Sequence, residues 1–275
     1  MPKPFKTHFD SFMELLEGAG GKPFVQQRGD LLSLHFNGIA IQSEMRLSAP
    51  DELVFSYTRA MMGFLLFQHA PRHLLMVGLG GGSMLKFCYR HLPDTRITVL
   101  ELDADVIALR DQFMIPPDDA RLQIIHADAA LYMEEIAPPD IDVLLLDGFG
   151  ADGLPPELCS ADFYATCRRA LKPRGVLVAN IMDRDARLPS CMQYLHAEFD
   201  QRVCWCRAEG GGNRIVFAIN GAKDAAEVAN SEEHDDTNEC QHEFFPQLRQ
   251  RAQASHLCQQ LNMAQLVERL RCRPS

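Results

Sequence analysis

Positive charge is scarce in this chain: 27 Lys and Arg stand against 37 Asp and Glu, a formal net charge of −10 over 275 residues. That balance leaves no basic footprint for nucleic acid and suits small cationic ligands better than phosphate polymers. Long apolar runs are missing as well. None approaches the roughly 20 residues that span a bilayer, so no membrane partner is expected. The opening MPKPFKTHFDSFMELLEG breaks its apolar residues with charges and lacks the core and cleavage site of a secretory signal. A cytoplasmic location is the expectation. No CxxC pair occurs among the nine cysteines, and no metal site is expected from their scatter. In a reducing compartment they read as small buried hydrophobes, Cys204 and Cys206 included, since alternate strand residues share a face. Internal repeats are also absent. What is present, 47% hydrophobic and 23% charged residues, is the composition of a globular protein with one large domain and a modest appendage.

Residues 23 to 47 read as short strands, with Asn37-Gly38 between LLSLHF and IAIQSEM as a hairpin signal, because both turn positions must tolerate positive φ. DELVFSYTRAMMGFLLFQHA (51 to 70) has helical spacing, with Asp51 and Glu52 suited to its first turn. From residue 73 strand and helix alternate: HLLMVG, SMLKFCYRHL, RITVLEL, DADVIALRDQF, RLQIIHA, ALYMEEIA, IDVLLLDGF, ADFYATCRRAL, GVLVANI and a helix near 188 to 199. Continuous apolar strands joined by helices imply a parallel sheet covered on both faces. RVCWCRA and NRIVFAI, joined by Glu-Gly-Gly-Gly, read as an antiparallel hairpin. The polar, acidic stretch 221 to 240 reads as a linker, followed by a helical tail from about 241 to 271 that packs on the domain or on a second subunit. The expected organisation is a β-hairpin element (1–48), a catalytic α/β domain (49–220), and a linker with a helical tail (221–275).

The first parallel strand ends in Gly78, Gly80 and Gly82, a loop that turns sharply and lets backbone approach a ligand. The dinucleotide fingerprint needs glycine at 83, where Ser83 stands. Glu101, nineteen residues beyond Gly82, closes the second strand, where a carboxylate accepts both hydroxyls of a ribose. Asp128 follows the third strand, placed for an adenine amino group, and Asp147 follows the fourth at the same edge. With the final hairpin, these features favour a Rossmann-like, S-adenosylmethionine-binding methyltransferase fold, a mostly parallel seven-stranded sheet, over a dinucleotide fold. Each acid has an alternative: Glu101 as a solvated strand end, Asp128 as the N-cap of ALYMEEIA, Asp147 as the residue that orders the loop GFGADGLPPEL.

In the order and spacing of FSYTRAM, VGLGGGSML, VLELDADVI, ADAALYM, LLLDGFGADGLPPEL and SADFY, the chain resembles the polyamine aminopropyltransferases, the spermidine and spermine synthase family, over residues 31 to 220. The resemblance implies a transferase that binds decarboxylated S-adenosylmethionine and passes its aminopropyl group to a small-molecule amine. It implies Asp147 as catalytic base with Tyr57 assisting, and Gln42, Glu101, Asp128 and Ala129 around the nucleoside. It also implies Asp152 as an amine-binding residue and a homodimer. Tyr57 reads equally as a core residue. The sequence departs from the family at Gly81, where members carry the aspartate that holds the aminopropyl ammonium and opposes the carboxylate of intact S-adenosylmethionine. It departs again at Asp152, displaced by two positions, and at Thr58 and Arg59, the latter repelling a diamine if it faces the site. A methyltransferase using the intact cosubstrate and a non-catalytic member of the family are the alternatives.

Overall fold

The computed structural model describes residues 22–36, 41–135, 139–148, 154–221 and 239–272. Strands β1 (Phe24–Arg28), β2 (Leu31–His35) and β3 (Ile41–Arg46) form a small antiparallel sheet in that order. The Asn37-Gly38 turn lies outside the described residues. The flanking strands pair antiparallel, Leu32 opposite Met45 and Leu34 opposite Ser43.

The expected helix over 51–70 is shorter than its periodicity implies. Helix α1 spans only Ser56–Met61 and tightens into a 3-10 turn over Met62–Leu66. Asp51 and Glu52 are not in its first turn because other cations hold them: Arg90 lies 2.7 Å from Asp51, and Arg46 lies 2.6 Å from Glu52. The Arg59 guanidinium donates back to the carbonyls of Leu53 and Val54 at 2.7 and 2.9 Å, fixing an extended approach to the helix.

A seven-stranded sheet carries the rest. Its strands are β4 (His73–Val77), β5 (Arg96–Glu101), β6 (Leu122–His126), β7 (Ile141–Leu146), β8 (Leu171–Met182), β9 (Val203–Arg207) and β10 (Asn213–Ile219), in the order β6-β5-β4-β7-β8-β10-β9. The first five are parallel, and β10 pairs antiparallel with both β8 and β9. Helices α2 (Ser83–His91), α3 (Ala104–Ala108), α4 (Ala129–Glu135), α5 (Ala161–Ala170) and α6 (Leu188–Glu198) connect them. Buried on both faces, β4 and β7 are almost wholly apolar, as LLMV and VLLL require. The strand order reverses between β4 and β7, which opens a crevice at their carboxyl ends.

The tail forms α7 (Glu239–Ala254), α8 (His256–Gln260) and α9 (Met263–Arg269), and it packs on the same chain. Leu248, Ala252, Met263, Leu266 and Val267 join the core that includes Leu34, Phe64 and Phe217. Gly63 permits this approach, since a Cβ there would stand 2.6 Å from a Leu266 methyl. Beyond α9, Arg271 exchanges two backbone hydrogen bonds with Trp205 on the edge strand β9, so the tail covers a sheet edge that would otherwise offer unpaired groups. Residues 222–238, most of the expected linker, lie outside the described residues.

The expectation for the cysteines holds only in part. Cys88, Cys167, Cys204, Cys206 and Cys258 are free and buried. Cys159 and Cys191 instead form a disulfide that ties the 3-10 turn Pro156–Cys159 to α6. Their Cα atoms are 5.6 Å apart across 32 residues of sequence, a proximity that only tertiary structure creates.

Candidate active site

Four neighbouring strands end at one edge of the sheet, and each delivers a residue singled out in the sequence. Read across β6, β5, β4 and β7, the ends bear Asp128, Glu101, the glycine loop and Asp147. They line a cavity of about 480 Å³, roofed by Gln42 and Ser43 of β3 and by Tyr57 and Thr58 of α1, with Glu157 and Leu158 as one wall. Gly78, Gly80 and Ala129 also line it. Asp152 lies outside the described residues.

The glycine loop is bare for two separate reasons. Gly78, at φ +96°, lies so close to β7 that a Cβ would stand 2.4 Å from the Asp147 carbonyl oxygen. Gly82 is not among the residues that line the cavity. At φ +66° it caps α2, and a Cβ there would meet Ile115 at 2.6 Å, so it is a packing position. Gly81 has no room either: its Cβ would lie 2.7 Å from the Ser43 hydroxyl and 2.8 Å from the Phe113 ring. These two side chains occupy the space that a residue larger than glycine would need.

Glu101 is half-buried rather than a free strand end. Its Oε2 accepts the Leu79 N–H at 2.8 Å and its Oε1 accepts the Asp103 N–H at 2.9 Å, so the carboxylate ties the glycine loop to β5. A carboxylate has about four acceptor sites, which leaves capacity for hydroxyl donors from the cavity. At Asp128 the capping alternative is realised: Oδ1 accepts the Ala130 N–H at 2.8 Å and the Leu131 N–H at 3.3 Å at the start of α4.

Asp147 keeps part of its surface open to the cavity, while protein surrounds its carboxyl elsewhere. Burial pushes it from 3.8 to about 7, against the opposing effect of hydrogen bonds from Asn180 and Tyr57. The Asn180 amide donates to Asp147 Oδ1 at 2.8 Å, and the Asn213 amide donates in turn to Asn180 Oδ1 at 3.0 Å. Burial, and then the neighbouring Asp147, hold the Tyr57 phenol well above its ordinary value, so it is a neutral donor. Asn180, Asn213 and Glu157 were not singled out from sequence, although all three line the cavity.

The charged side chains lining this cavity are Glu101, Asp103, Asp128, Asp147 and Glu157, and among the described residues no Lys or Arg lines it. The field inside favours a cation. Arg59 is turned away, its guanidinium held by the Leu53 and Val54 carbonyls. The condition under which Arg59 would repel a diamine, that it face the site, is therefore not met.

Residues 54–195 match the spermine/spermidine synthase domain. A polyamine aminopropyltransferase of Neisseria meningitidis serogroup A is 38% identical over 200 residues, 72% of this chain and 76% of that one. In fold, the chain is similar to a probable spermidine synthase from Corynebacterium glutamicum (TM-score 0.66, 22% identity, 85% of this chain and 84% of that one). It is also similar to human methyltransferase-like protein 13 in complex with SAH (TM-score 0.60, 25% identity, 74% and 92%). With a domain match over more than half of its length and a relative of this identity, the chain belongs to the spermine/spermidine synthase family.

Proposed function

We propose that the chain is an aminopropyltransferase that binds decarboxylated S-adenosylmethionine in this cavity and transfers its aminopropyl group to a small amine. The observation that carries the reading is the buried Asp147, raised to about 7 at the end of a crevice whose charged lining is wholly acidic. Glu101 would hold the ribose, Asp128 and Ala129 would border the adenine, and Gln42 and the backbone at Gly78 and Gly80 would flank the rest of the nucleoside. Asp152 is assigned to the amine. The bound cosubstrate supplies a carbon activated by its sulfonium.

The residues present fit such a group. Gly78 and Gly80 line the cavity, and Glu101 retains acceptor capacity for hydroxyls. An amine nucleophile must first lose a proton. An ordinary carboxylate accepts one only below about pH 4, more than six decades short of an alkylammonium near 10.4. With Asp147 at about 7 that gap is roughly halved. Asp147 takes the proton as the amine nitrogen bonds to the carbon beside sulfur, the carbon–sulfur bond breaks, and a neutral thioether departs. Tyr57 orients the carboxyl through its hydroxyl.

A second reading, methyl transfer from intact S-adenosylmethionine, is favoured by one observation. Gly81 presents no carboxylate to repel the cosubstrate's own, and the space beside it is filled by Ser43 and Phe113. Calorimetric titration with decarboxylated S-adenosylmethionine, its intact form and 5′-methylthioadenosine separates the two. Tighter binding of the decarboxylated form supports the aminopropyl reading, and tighter binding of the intact form overturns it.

The same titration carries a pH signature. Because the folded-state value of Asp147 is raised, its proton is held below about pH 7 and lost above. A sulfonium cation stabilises the ionised form, so its affinity is expected to rise with pH through 7, by up to about tenfold per pH unit on the acid side. Uncharged methylthioadenosine should show little change. Equal pH profiles for the two ligands would place Asp147 away from the sulfonium. We assign the chain to the cytoplasm; the free thiols at Cys88, Cys167, Cys204, Cys206 and Cys258 accord with that location, and the Cys159–Cys191 disulfide does not.

A further inference from the structure

We propose that Asn213 is a positioning residue for Asp147, acting through Asn180: its donor occupies the Asn180 carbonyl and so favours the arrangement in which the Asn180 NH₂ faces the carboxyl. The inference rests on the reading of Asp147 as the proton acceptor. The chain has one polarity. Asn213 Nδ2 donates to Asn180 Oδ1 at 3.0 Å, and Asn180 Nδ2 donates to Asp147 Oδ1 at 2.8 Å. An amide has a donor end and an acceptor end, so whatever occupies one end dictates what the other presents. An ionised Asp147 can only accept, and the NH₂ of Asn180 suits it. A protonated Asp147 would be served equally well by the carbonyl of Asn180 turned towards it. The donor from Asn213 opposes a turn of Asn180 alone, because it would set NH₂ against NH₂, so the two amides must turn together. Asn180 is 2% exposed, so its amide depends mainly on protein partners.

Strand register builds the arrangement. Asn213 lies opposite Met182 and Ile215 lies opposite Asn180 in the β8–β10 pair. Asn180 is therefore the diagonal neighbour of Asn213 on the same face, within side-chain reach. The start of β10 is anchored on both sides. Gly212, at φ +86°, accepts the Asp183 N–H at 3.0 Å, while Arg214 pairs with Asp183 at 3.3 Å and lies over the Trp205 ring at 4.2 Å. The antiparallel hairpin thus reaches the reacting end of the cavity, although every acid there comes from the parallel strands or from the turn before α5. The other titratable groups lining the cavity are Tyr57 from α1, Glu101 and Asp103 at the end of β5, Asp128 after β6 and Glu157 before α5. Of these, Tyr57 hydrogen-bonds the Asp147 carboxyl directly.

The test is a carboxyl carbon-13 titration of Asp147, its signal assigned by its loss in Asp147→Asn. Asn213→Leu is expected to raise the proton affinity of Asp147 about tenfold, the scale of one weakened hydrogen bond to a charged group. Asn213→Gln, which keeps the donor amide, should restore most of it. Asn213→Ser, too short to reach Asn180, should behave like the leucine variant and covers the case in which leucine disturbs folding. The double variant Asn180→Leu/Asn213→Leu should shift no further than Asn180→Leu alone. In turnover, Asn213→Leu should move the acid limb of kcat upward in pH, and the pH at which sulfonium affinity rises should move with it, while 5′-methylthioadenosine affinity stays unchanged. An unmoved carboxyl titration in both Asn213→Leu and Asn213→Ser, or additive shifts in the double variant, would overturn the relay. The titration needs no turnover. A chain that titrates as expected yet transfers nothing would contradict the aminopropyl reading and not the relay.

Discussion

Asp147→Asn is expected to lower kcat about a thousandfold, within the range of a single positioned general base, while leaving 5′-methylthioadenosine affinity within a few-fold. The substitution keeps the size of the side chain. The new amide can still turn its carbonyl to the Asn180 NH₂, so the local geometry has a partner after the change. What it loses is the capacity to take a proton. The neutral nucleoside gains little from the carboxylate charge, which is why its binding should survive. Steady-state kinetics with decarboxylated S-adenosylmethionine and a diamine, beside calorimetry with the thioether, check both halves. Turnover at the wild-type rate would remove Asp147 from the mechanism.

Glu101→Ala is expected to weaken every adenosyl ligand about a hundredfold, with or without a sulfonium. Two effects combine. The ribose would lose charge-assisted hydrogen bonds, each contributing about 1.5–3 kcal/mol. The Leu79 and Asp103 N–H groups would also lose the acceptor that now ties the glycine loop to β5. Glu101→Gln separates them, since its one carbonyl oxygen can serve only part of this set. An intermediate loss is expected there. Unchanged calorimetric affinity in Glu101→Ala would place the nucleoside elsewhere.

The parallel sheet and the acids at its edge were legible because each rests on a local pattern. LLMV and VLLL are unbroken apolar runs and ITVL is broken only by Thr98, and the residue that follows such a run at the carboxyl edge is positioned by the sheet itself. Glu101 and Asp147 stand at such ends, and both line the cavity. Asn180 left a signal that went unread: one amide inside the otherwise apolar VLVANI, where an unpaired polar group would be costly. Asn213 had no such mark. It follows three glycines and reads as a turn residue, and its role depends on register against β8. The glycines themselves could not be sorted by spacing. Gly78 approaches Asp147 and Gly82 packs on Ile115, a distinction set by neighbours far along the chain. The same holds for the Cys159–Cys191 pair and for the late start of the helix at Ser56, where Arg46 and Arg90 hold Glu52 and Asp51 from other elements.

The departure at Gly81 gives the account its sharpest exposure. A glycine loop packed against Ser43 and Phe113 leaves no site there for an acidic side chain. If the aminopropyl ammonium is held, its countercharge comes from the other acids of the cavity. The direct measurement is product analysis by mass spectrometry after incubating the protein with an amine and, in parallel, decarboxylated or intact S-adenosylmethionine. The account predicts 5′-methylthioadenosine and an amine enlarged by an aminopropyl group from the decarboxylated form. S-adenosylhomocysteine and a methylated amine from the intact form, with no methylthioadenosine from the other, would contradict it.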